Sequence, residues 1–154
     1  MSAGSYVERT LPEVVQQAAE RYAEHIAIKD GDVTLSYAAL NDARMTAARA
    51  FVAAGLKKGD RFAIWAPNIY QWIIAAIGAQ TVGGVLVPLN TRMKGAEAAY
   101  ILEASGAKFL FTVAEFLGVD YPGLLRDRQL PDLEQIVLLS GEAEDTVTWD
   151  CFQG

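Results

Sequence analysis

Apolar residues along the chain fall into two spacings, short continuous runs and longer stretches with one apolar side. The short runs begin at Arg61, Val85, Lys108 and Leu133, at intervals of roughly 23 to 27 residues, with helical spacing between them. Continuous apolar strands joined by helices are typical of a parallel sheet covered on both faces. The pattern predicts an α/β fold in three layers, with a doubly wound, mostly parallel sheet.

The start of the chain predicts a lead-in and a capped helix. Residues 1–9 are expected to be flexible, and residues 10–154 to form one unit. Thr10 and Glu13 have the spacing of a capping box, in which each side chain satisfies a free backbone N–H group. A helix over about 11–23 follows.

A small hairpin and a long helix are predicted next. The pair Asp30-Gly31 is a turn signal between strands over 26–29 and 33–36. The Ser36 hydroxyl can cap a helix over about 37–54. The hairpin is therefore expected to attach to the side of the main sheet.

Two further helices are predicted between the apolar runs. Asn68 is expected to cap a helix over about 69–82, which the pair Gly83-Gly84 ends. A helix over about 94–104 leads into the third run. These helices supply the crossovers that parallel strands require.

The last third of the chain has weaker patterns. We interpret the segment 114–129 as short helices around Tyr121. Trp149 and Phe152 lie three residues apart, which indicates the start of an amphipathic helix. So short a helix is not stable alone, and we interpret the end of the chain as a truncation.

Composition and charge exclude several classes of protein. The hydrophobic fraction of 52% and the mean hydropathy of +0.16 argue against disorder. A net charge of −6 argues against a nucleic-acid partner, which needs clustered Lys and Arg. One cysteine suits a reducing compartment, the start of the chain has no secretory signal pattern, and the apolar run 73–77 is too short to span a bilayer. We expect a cytoplasmic protein without a transmembrane segment.

Five segments, in order, resemble the opening motifs of the adenylate-forming superfamily, which includes acyl-CoA synthetases, peptide-synthetase adenylation domains and luciferases. The segments are Leu35–Leu40, Gly55–Arg61, Pro67–Trp72, Gly83–Arg92 and Tyr100–Lys108. The resemblance covers about residues 10–152. It implies the N-terminal α/β subdomain of a large adenylation domain.

The resemblance also implies an activity. Asn90-Thr91-Arg92 and Thr148–Phe152 are most similar to fatty-acid and steroid-side-chain CoA ligases of the actinobacterial kind. Such a ligase joins a carboxylic acid to ATP, releases pyrophosphate, and passes the acyl group to CoA with release of AMP. The full-length enzyme would use ATP, Mg²⁺ and CoA, with later subdomains and a C-terminal lid as partners of this chain.

The residues that this chemistry requires are not in the sequence. The family's phosphate loop, Ser/Thr-Gly-Thr-Thr-Gly-x-Pro-Lys-Gly, does not occur, nor does another phosphate-binding glycine motif. We therefore assign no catalytic, cofactor-binding or metal residue to this chain. It is expected to be inactive alone and to bind none of these cofactors tightly.

Two reactive side chains stand alone in the sequence. His25 could act as a base near neutral pH, but its place between a helix and a strand favours a structural role. Cys151 has no basic neighbour in sequence to activate its thiol, which favours an ordinary, partly exposed cysteine.

Aromatic residues and glycines around the central strands also have two interpretations. Trp65, Tyr70 and Trp72 could line a ligand pocket, although core or interface packing is the commoner role of such residues. The pair Gly83-Gly84 could admit a phosphate, but no Lys or hydroxyl cluster accompanies it. A tight helix-to-strand turn is the better interpretation.

The segment Asn90-Thr91-Arg92 follows a strand's carboxyl end, where open α/β sheets bind ligands. Arg92 could meet a CoA phosphate or a carboxylate of a neighbouring subdomain. An ion pair between subdomains, or a hydrogen-bonded turn, is the preferred interpretation.

Two functional hypotheses remain open on the sequence. The first is the N-terminal portion of an AMP-forming acyl-CoA ligase, acting on a fatty acid or a steroid-derived acid. The second is a free-standing, non-catalytic α/β module that binds a ligand or a partner. In the first case, apolar surface that normally faces the rest of the enzyme is exposed, which could favour a homodimer.

Overall fold

The computed structural model describes residues 9–154, so most of the predicted lead-in lies outside the described residues. Helix α1 (Leu11–Tyr22) begins with the predicted capping box. The Glu13 backbone N–H donates to Thr10 Oγ1 at 3.4 Å, and the Thr10 N–H donates to Glu13 Oε2 at 2.7 Å. The bond from the Thr10 N–H, and then one from the Thr10 hydroxyl to the same Glu13 oxygen at 3.0 Å, lower the pKa of the Glu13 carboxyl.

The predicted hairpin and long helix follow. Strands β1 (Ile26–Asp30) and β2 (Val33–Ser36) pair in antiparallel fashion around a turn at Gly31, whose φ of +55° suits glycine. In helix α2 (Tyr37–Ala53), the Ala39 N–H donates to Ser36 Oγ at 3.2 Å, as the sequence predicted.

Two crossover units build the centre of the fold. The elements are β3 (Arg61–Trp65), α3 (Tyr70–Thr81), β4 (Val85–Pro88), α4 (Gly95–Ser105) and β5 (Phe109–Val113). The prediction that Asn68 caps α3 is wrong, because no side chain bonds from the N-cap position, which Ile69 occupies. Instead, the carboxylate of Asp30, at the end of β1, caps α3 by accepting a hydrogen bond from the Tyr70 N–H at 2.9 Å.

The segment after β5 differs from its prediction. Instead of short helices only, it forms a hairpin of β6 (Glu115–Phe116) and β7 (Val119–Asp120), followed by a 3-10 turn over Gly123–Leu125. Leu117 and Gly118 both have positive φ, +52° and +77°, as the tightest two-residue hairpin turn requires. Leucine is an unusual residue for the first of these positions, which hid the turn in the sequence.

Three elements complete the chain: β8 (Gln135–Ser140), β9 (Val147–Thr148) and α5 (Trp149–Gln153). The strand β9 was not predicted. The main sheet has five strands in the order β4-β3-β5-β8-β9, and each neighbouring pair is parallel. The predicted α/β fold with a doubly wound sheet is therefore confirmed.

A cluster of aromatic rings packs between the sheet, α2 and α5. Phe51 of α2 lies 5.9 Å from Phe62 and 5.1 Å from Phe111, measured between ring centroids. Phe152 of α5 lies 5.1 Å from Phe51 and 5.3 Å from Phe111. Burying each such ring contributes about 1.5–3 kcal/mol, which explains how a five-residue helix holds its place.

Candidate functional site

The strand order identifies where a ligand would bind in a sheet of this kind. The chain leaves β3 towards β4 on one side and leaves β5 towards β8 on the other. The crevice at the carboxyl ends of β3 and β5 is thus the topological switch point, at which open α/β sheets bind their ligands. We call the region around these strand ends the carboxyl edge.

Side chains of the chain itself fill this crevice. Trp65, at the end of β3, and Tyr121, after β7, are both buried and pack edge to face with 4.6 Å between their ring centroids. Thr112 Oγ1 donates to the Trp65 carbonyl oxygen at 2.6 Å and thereby joins β5 to β3. The interpretation of Trp65 as a packing residue is supported.

Two hydrogen bonds tie this aromatic pair to the loop after β4. Trp65 Nε1 donates to the carbonyl oxygen of Asn90 at 3.0 Å, and the Tyr121 hydroxyl donates to that of Thr91 at 2.9 Å. Burial raises the pKa of Tyr121 above its ordinary value. Three loops of the carboxyl edge are therefore held together by buried, hydrogen-bonded aromatic rings.

A cleft of about 380 Å³ remains beside the aromatic pair. Its size is within the range of small-molecule sites. Its walls come from the loops after β3 and β4, from α3 and from the β6–β7 hairpin: Ala66, Pro67, Asn68, Trp72, Leu89, Asn90, Thr91 and Phe116. Within residues 9–154 these walls carry amides and a hydroxyl but no ionisable group, so they could bind a molecule but offer no acid or base.

The segment Asn90-Thr91-Arg92 forms a hydrogen-bonded turn. Asn90 Oδ1 accepts the backbone N–H of Arg92 at 2.9 Å, and the Asn90 carbonyl oxygen accepts that of Met93 at 3.0 Å. The Arg92 side chain is exposed, and its guanidinium makes no ion pair or hydrogen bond within residues 9–154. The turn was an expected alternative; a contact of Arg92 with another subdomain or with CoA stays a prediction.

The pair Gly83-Gly84 lies at the opposite, amino edge of the sheet, before β4. Gly83 has a φ of +87°, and its carbonyl oxygen accepts the Gly59 N–H at 2.8 Å. A Cβ on Gly84 would lie 3.0 Å from both the Ala79 carbonyl oxygen and Leu56 Cδ2. Close packing explains both glycines, which supports the interpretation as a helix-to-strand turn.

At the amino edge, an ion pair joins the segments that precede β3 and β5. Lys108 Nζ lies 3.0 Å from Asp60 Oδ2, which also accepts the Lys57 backbone N–H at 2.9 Å. The hydrogen bond from Lys57, and then that from Lys108, hold the pKa of Asp60 below its usual value. These contacts fix the start of β3 relative to that of β5.

His25 and Cys151 lie apart from the carboxyl edge. His25 is exposed after α1, with its ring 5.7 Å from that of Tyr22 in an edge contact. Cys151 is an exposed, free thiol on α5. Neither side chain hydrogen-bonds to another side chain in the part of the chain that the structure describes, so no activated pair is formed.

Tyr70 and Trp72 pack against the core, which is the role that the sequence favoured, and both also line a cleft. Both are partly buried at the start of α3, in a second cleft of about 330 Å³ that opens between α3 and β1. Asp30 forms one wall of that cleft through its bond to the Tyr70 N–H. No sequence signal identified Asp30 as a cap, because it lies 40 residues before the helix that it caps.

Arg44 was also missed. It is 4% exposed between α2 and α3, and its guanidinium donates to Asn41 Oδ1 at 2.8 Å and to Thr81 Oγ1 at 3.0 Å. Its position at the end of α3 suits a cation, because the carbonyl end of a helix is negative. Burial lowers the pKa of Arg44. The only hint in the sequence was that this arginine lies on the alanine-rich, core-facing side of the predicted helix α2.

Neither a metal-binding cluster nor a membrane-spanning helix is present in the part of the chain that the structure describes. Within residues 9–154, no group of three or more His, Cys, Asp or Glu side chains is placed to hold a metal ion. None of the helices over this range is both long enough and apolar enough to cross a membrane.

Comparison with known proteins identifies relatives along most of the chain. The family model described as "AMP-binding enzyme" matches residues 15–151. A 7a-methyl-1,5-dioxo-octahydroinden-4-yl propanoyl:CoA ligase from Mycobacterium tuberculosis is 38% identical over 144 residues, which are 94% of this chain and 28% of the relative. A mitochondrial medium-chain acyl-CoA ligase, ACSF2 of Rattus norvegicus, is 27% identical over 161 residues, covering 94% of this chain and 26% of the relative.

Solved structures agree with the sequence relatives. The apo structure of MbtA from Mycobacterium smegmatis superposes with a TM-score of 0.85 at 26% identity, over 98% of this chain and 28% of that protein. The chain therefore spans little more than a quarter of the length of the relatives that it matches.

Proposed function

Because the chain belongs to the family of AMP-binding enzymes, we propose that it is the N-terminal α/β subdomain of an ATP-dependent, AMP-forming acyl-CoA ligase. The observation that carries this proposal is the family match over residues 15–151, together with 38% identity to a CoA ligase. The complete enzyme would convert a carboxylic acid, ATP and CoA into acyl-CoA, AMP and pyrophosphate through an acyl-adenylate.

The residues of this chain do not fit ATP or Mg²⁺. The switch point is filled by Trp65 and Tyr121, the neighbouring cleft has no cationic wall, and the sequence lacks a phosphate loop. We therefore derive no catalytic step from these residues. The role proposed for the chain is a rigid framework on which other subdomains of a longer protein would place the nucleotide.

The proposed substrate is a fatty acid or a steroid-derived acid. The M. tuberculosis relative acts on a propanoyl group attached to a bicyclic ring, and the rat relative is named for medium-chain acyl groups. A role in fatty-acid metabolism in the cytoplasm follows from this proposal. A single cysteine in 154 residues is consistent with a reducing compartment.

Activity of a longer protein tests the proposal. We expect a protein that continues this chain through the phosphate loop, the later subdomains and the C-terminal lid to release AMP only when ATP, a carboxylic acid and CoA are all present. The 154-residue chain alone should release none. Absence of acid-dependent AMP release from the longer protein, with stoichiometric binding of CoA or ATP by the short chain, would instead favour a free-standing binding module.

The same assay tests the free guanidinium of Arg92. If it contacts a CoA phosphate, Arg92→Ala should raise the KM for CoA and leave the KM for ATP unchanged. If it pairs with a carboxylate of another subdomain, the substitution should lower thermal stability and leave both KM values unchanged. Arg49→Ala is a matched control, because Arg49 is exposed on α2, away from the carboxyl edge.

A further inference from the structure

A second apolar surface lies beside β8 and β9, apart from the carboxyl edge. Its floor consists of Leu125, Leu130, Leu133 and Ile136, which enclose a groove of about 280 Å³. A neighbouring cleft of about 390 Å³ shares Leu133 and Ile136 and continues along β9. We call this surface the margin groove. Three of its four floor residues are only partly buried, so the groove leaves apolar area open to water.

The two walls of the margin groove carry opposite charges. Arg126 and Arg128, from the segment after the 3-10 turn, form what we call the arginine wall, and Glu144 and Asp145, from the loop before β9, form what we call the acidic wall. All four side chains are exposed, and none takes part in an ion pair or a side-chain hydrogen bond within residues 9–154. The groove thus has an apolar floor and charges of both signs, which two separate segments carry and which stay unused inside the chain.

Backbone contacts hold both walls in place. The N–H of Arg126 donates to the Gly123 carbonyl oxygen at 3.3 Å, and that of Arg128 donates to the Leu125 carbonyl oxygen at 2.9 Å. On the acidic wall, the Thr146 hydroxyl donates to the Ala143 carbonyl oxygen at 2.7 Å and so closes a turn around Glu144 and Asp145. The charged walls are therefore part of ordered turns.

Such a surface is complementary to itself. In a two-fold symmetric pair, a residue that contacts a second residue across the interface is contacted by that residue's copy in return. When the arginine wall of one copy enters the groove of a second copy, it meets the acidic wall of that second copy. By symmetry, the arginine wall of the second copy then meets the acidic wall of the first. The aliphatic parts of the arginine side chains can cover the leucine floor while their charged ends reach the carboxylates.

We propose that the margin groove binds a second copy of this chain, in a two-fold symmetric dimer. Arg126 and Arg128 of each copy pair with Glu144 and Asp145 of the other. Opposite charges across an interface set its register and exclude wrong partners. Exposed ion pairs alone contribute little to affinity, so burial of the apolar floor would supply most of the free energy of association.

Charge reversal on one wall at a time gives a sharp test by sedimentation velocity. Arg126→Glu/Arg128→Glu makes both walls negative, and Glu144→Lys/Asp145→Asn makes them positive or neutral, with Asn chosen because it tolerates the φ of +58° at Asp145. Unsubstituted chain should dimerise with rising concentration. Each variant alone should dimerise at least about tenfold more weakly, since like charges then face each other. An equimolar mixture of the two variants should form a one-to-one dimer.

The matched control is Arg21→Glu/Lys29→Glu. It replaces two exposed cations by two acids and so takes the net charge from −6 to −10, the same value as Arg126→Glu/Arg128→Glu. It should dimerise like the unsubstituted chain. Circular dichroism melting of every variant separates loss of dimer from loss of fold.

Three results would overturn the proposal. The first is an unsubstituted chain that stays monomeric into the millimolar range. The second is a dimer that persists in both single-wall variants, which would place the interface elsewhere. The third is a monomer whose groove binds decanoate, detected through shifts of the Leu130 and Leu133 methyl signals, which would assign the groove to a small amphiphilic acid.

Discussion

The carboxyl edge and the margin groove are both apolar regions beside the same parallel sheet, but the first is packed with aromatic rings and the second is partly exposed to water. At the carboxyl edge, Trp65 and Tyr121 fill the space and satisfy their polar atoms internally. At the margin groove, leucines stay partly exposed between unpaired charges. The switch point, where a ligand is expected in this fold class, is filled by rings of the chain, and the cleft beside it has uncharged walls, whereas the margin groove is lined by charged side chains.

The largest effect is expected from the closed edge. Trp65→Ala should lower the free energy of unfolding by about 3–5 kcal/mol, because it leaves a cavity and breaks the bond to the Asn90 carbonyl oxygen. Leu130→Ala, in the margin groove, should cost only about 1 kcal/mol, since that side chain is already partly exposed to water. Urea unfolding of both variants, in dilute solution, measures the difference. Equal losses would show that the edge is not packed as described.

Tyr121→Phe should cost about 1 kcal/mol, because the Thr91 carbonyl oxygen loses its donor. The substitution also changes the dependence of stability on pH. Burial raises the pKa of Tyr121, so the unfolded chain loses this proton first, near pH 10, and stability falls as pH rises past that value. Below that pH the contribution is fully present.

Unfolding at pH 8 and at alkaline pH compares the two proteins. The fall in stability should be smaller in Tyr121→Phe than in the unsubstituted chain. Tyr100→Phe is the control, because that side chain is 70% exposed and should behave like the unsubstituted chain. The same alkaline fall in Tyr121→Phe as in the unsubstituted chain would mean that the hydroxyl is not buried.

Asp30→Ala tests how the start of α3 is held in place. Loss of the cap on the Tyr70 N–H should cost about 1 kcal/mol in a thermal or urea melt. Asn68→Ala, at the position that the sequence favoured for the cap, should have almost no effect. A larger loss of stability in Asn68→Ala than in Asp30→Ala would instead support Asn68 as the cap of α3.

The smallest effect on stability is expected at the margin groove. Arg126→Gln should change the free energy of unfolding of the monomer by less than about 0.5 kcal/mol, because the guanidinium is exposed and unpaired within the described residues. A thermal melt at low protein concentration checks this. A large loss would mean that the charge supports the fold rather than an interface.

Local signals predicted most of the fold. The spacing of the apolar runs gave the parallel strands, and the capping box at Thr10 and the cap at Ser36 gave the helix starts, because each depends on residues a few positions apart. The hairpin turn at Leu117-Gly118 was missed, since leucine does not signal positive φ. The strand β9 was missed because two residues show no periodicity.

The candidate site was less predictable, because its contacts join distant parts of the chain. Tyr121 packs against Trp65, which lies 56 positions earlier in the sequence (121 minus 65). Asp30 accepts a hydrogen bond from Tyr70, which lies 40 positions later. No local pattern encodes such pairs. The turn at Asn90 was predictable from a short-range signal, whereas the filled switch point required the strand order and the path of the β6–β7 hairpin together.

We conclude above all that Trp65 and Tyr121 fill the switch point of this sheet and that the chain serves as framework. A titration of the 154-residue chain with ATP and with CoA, followed through the indole N–H signal of Trp65 by NMR, is the direct test. We expect this signal, held by the Asn90 carbonyl oxygen, neither to shift nor to broaden, and calorimetry to show no stoichiometric binding. Saturable binding of either molecule with a shift of the Trp65 signal would contradict it.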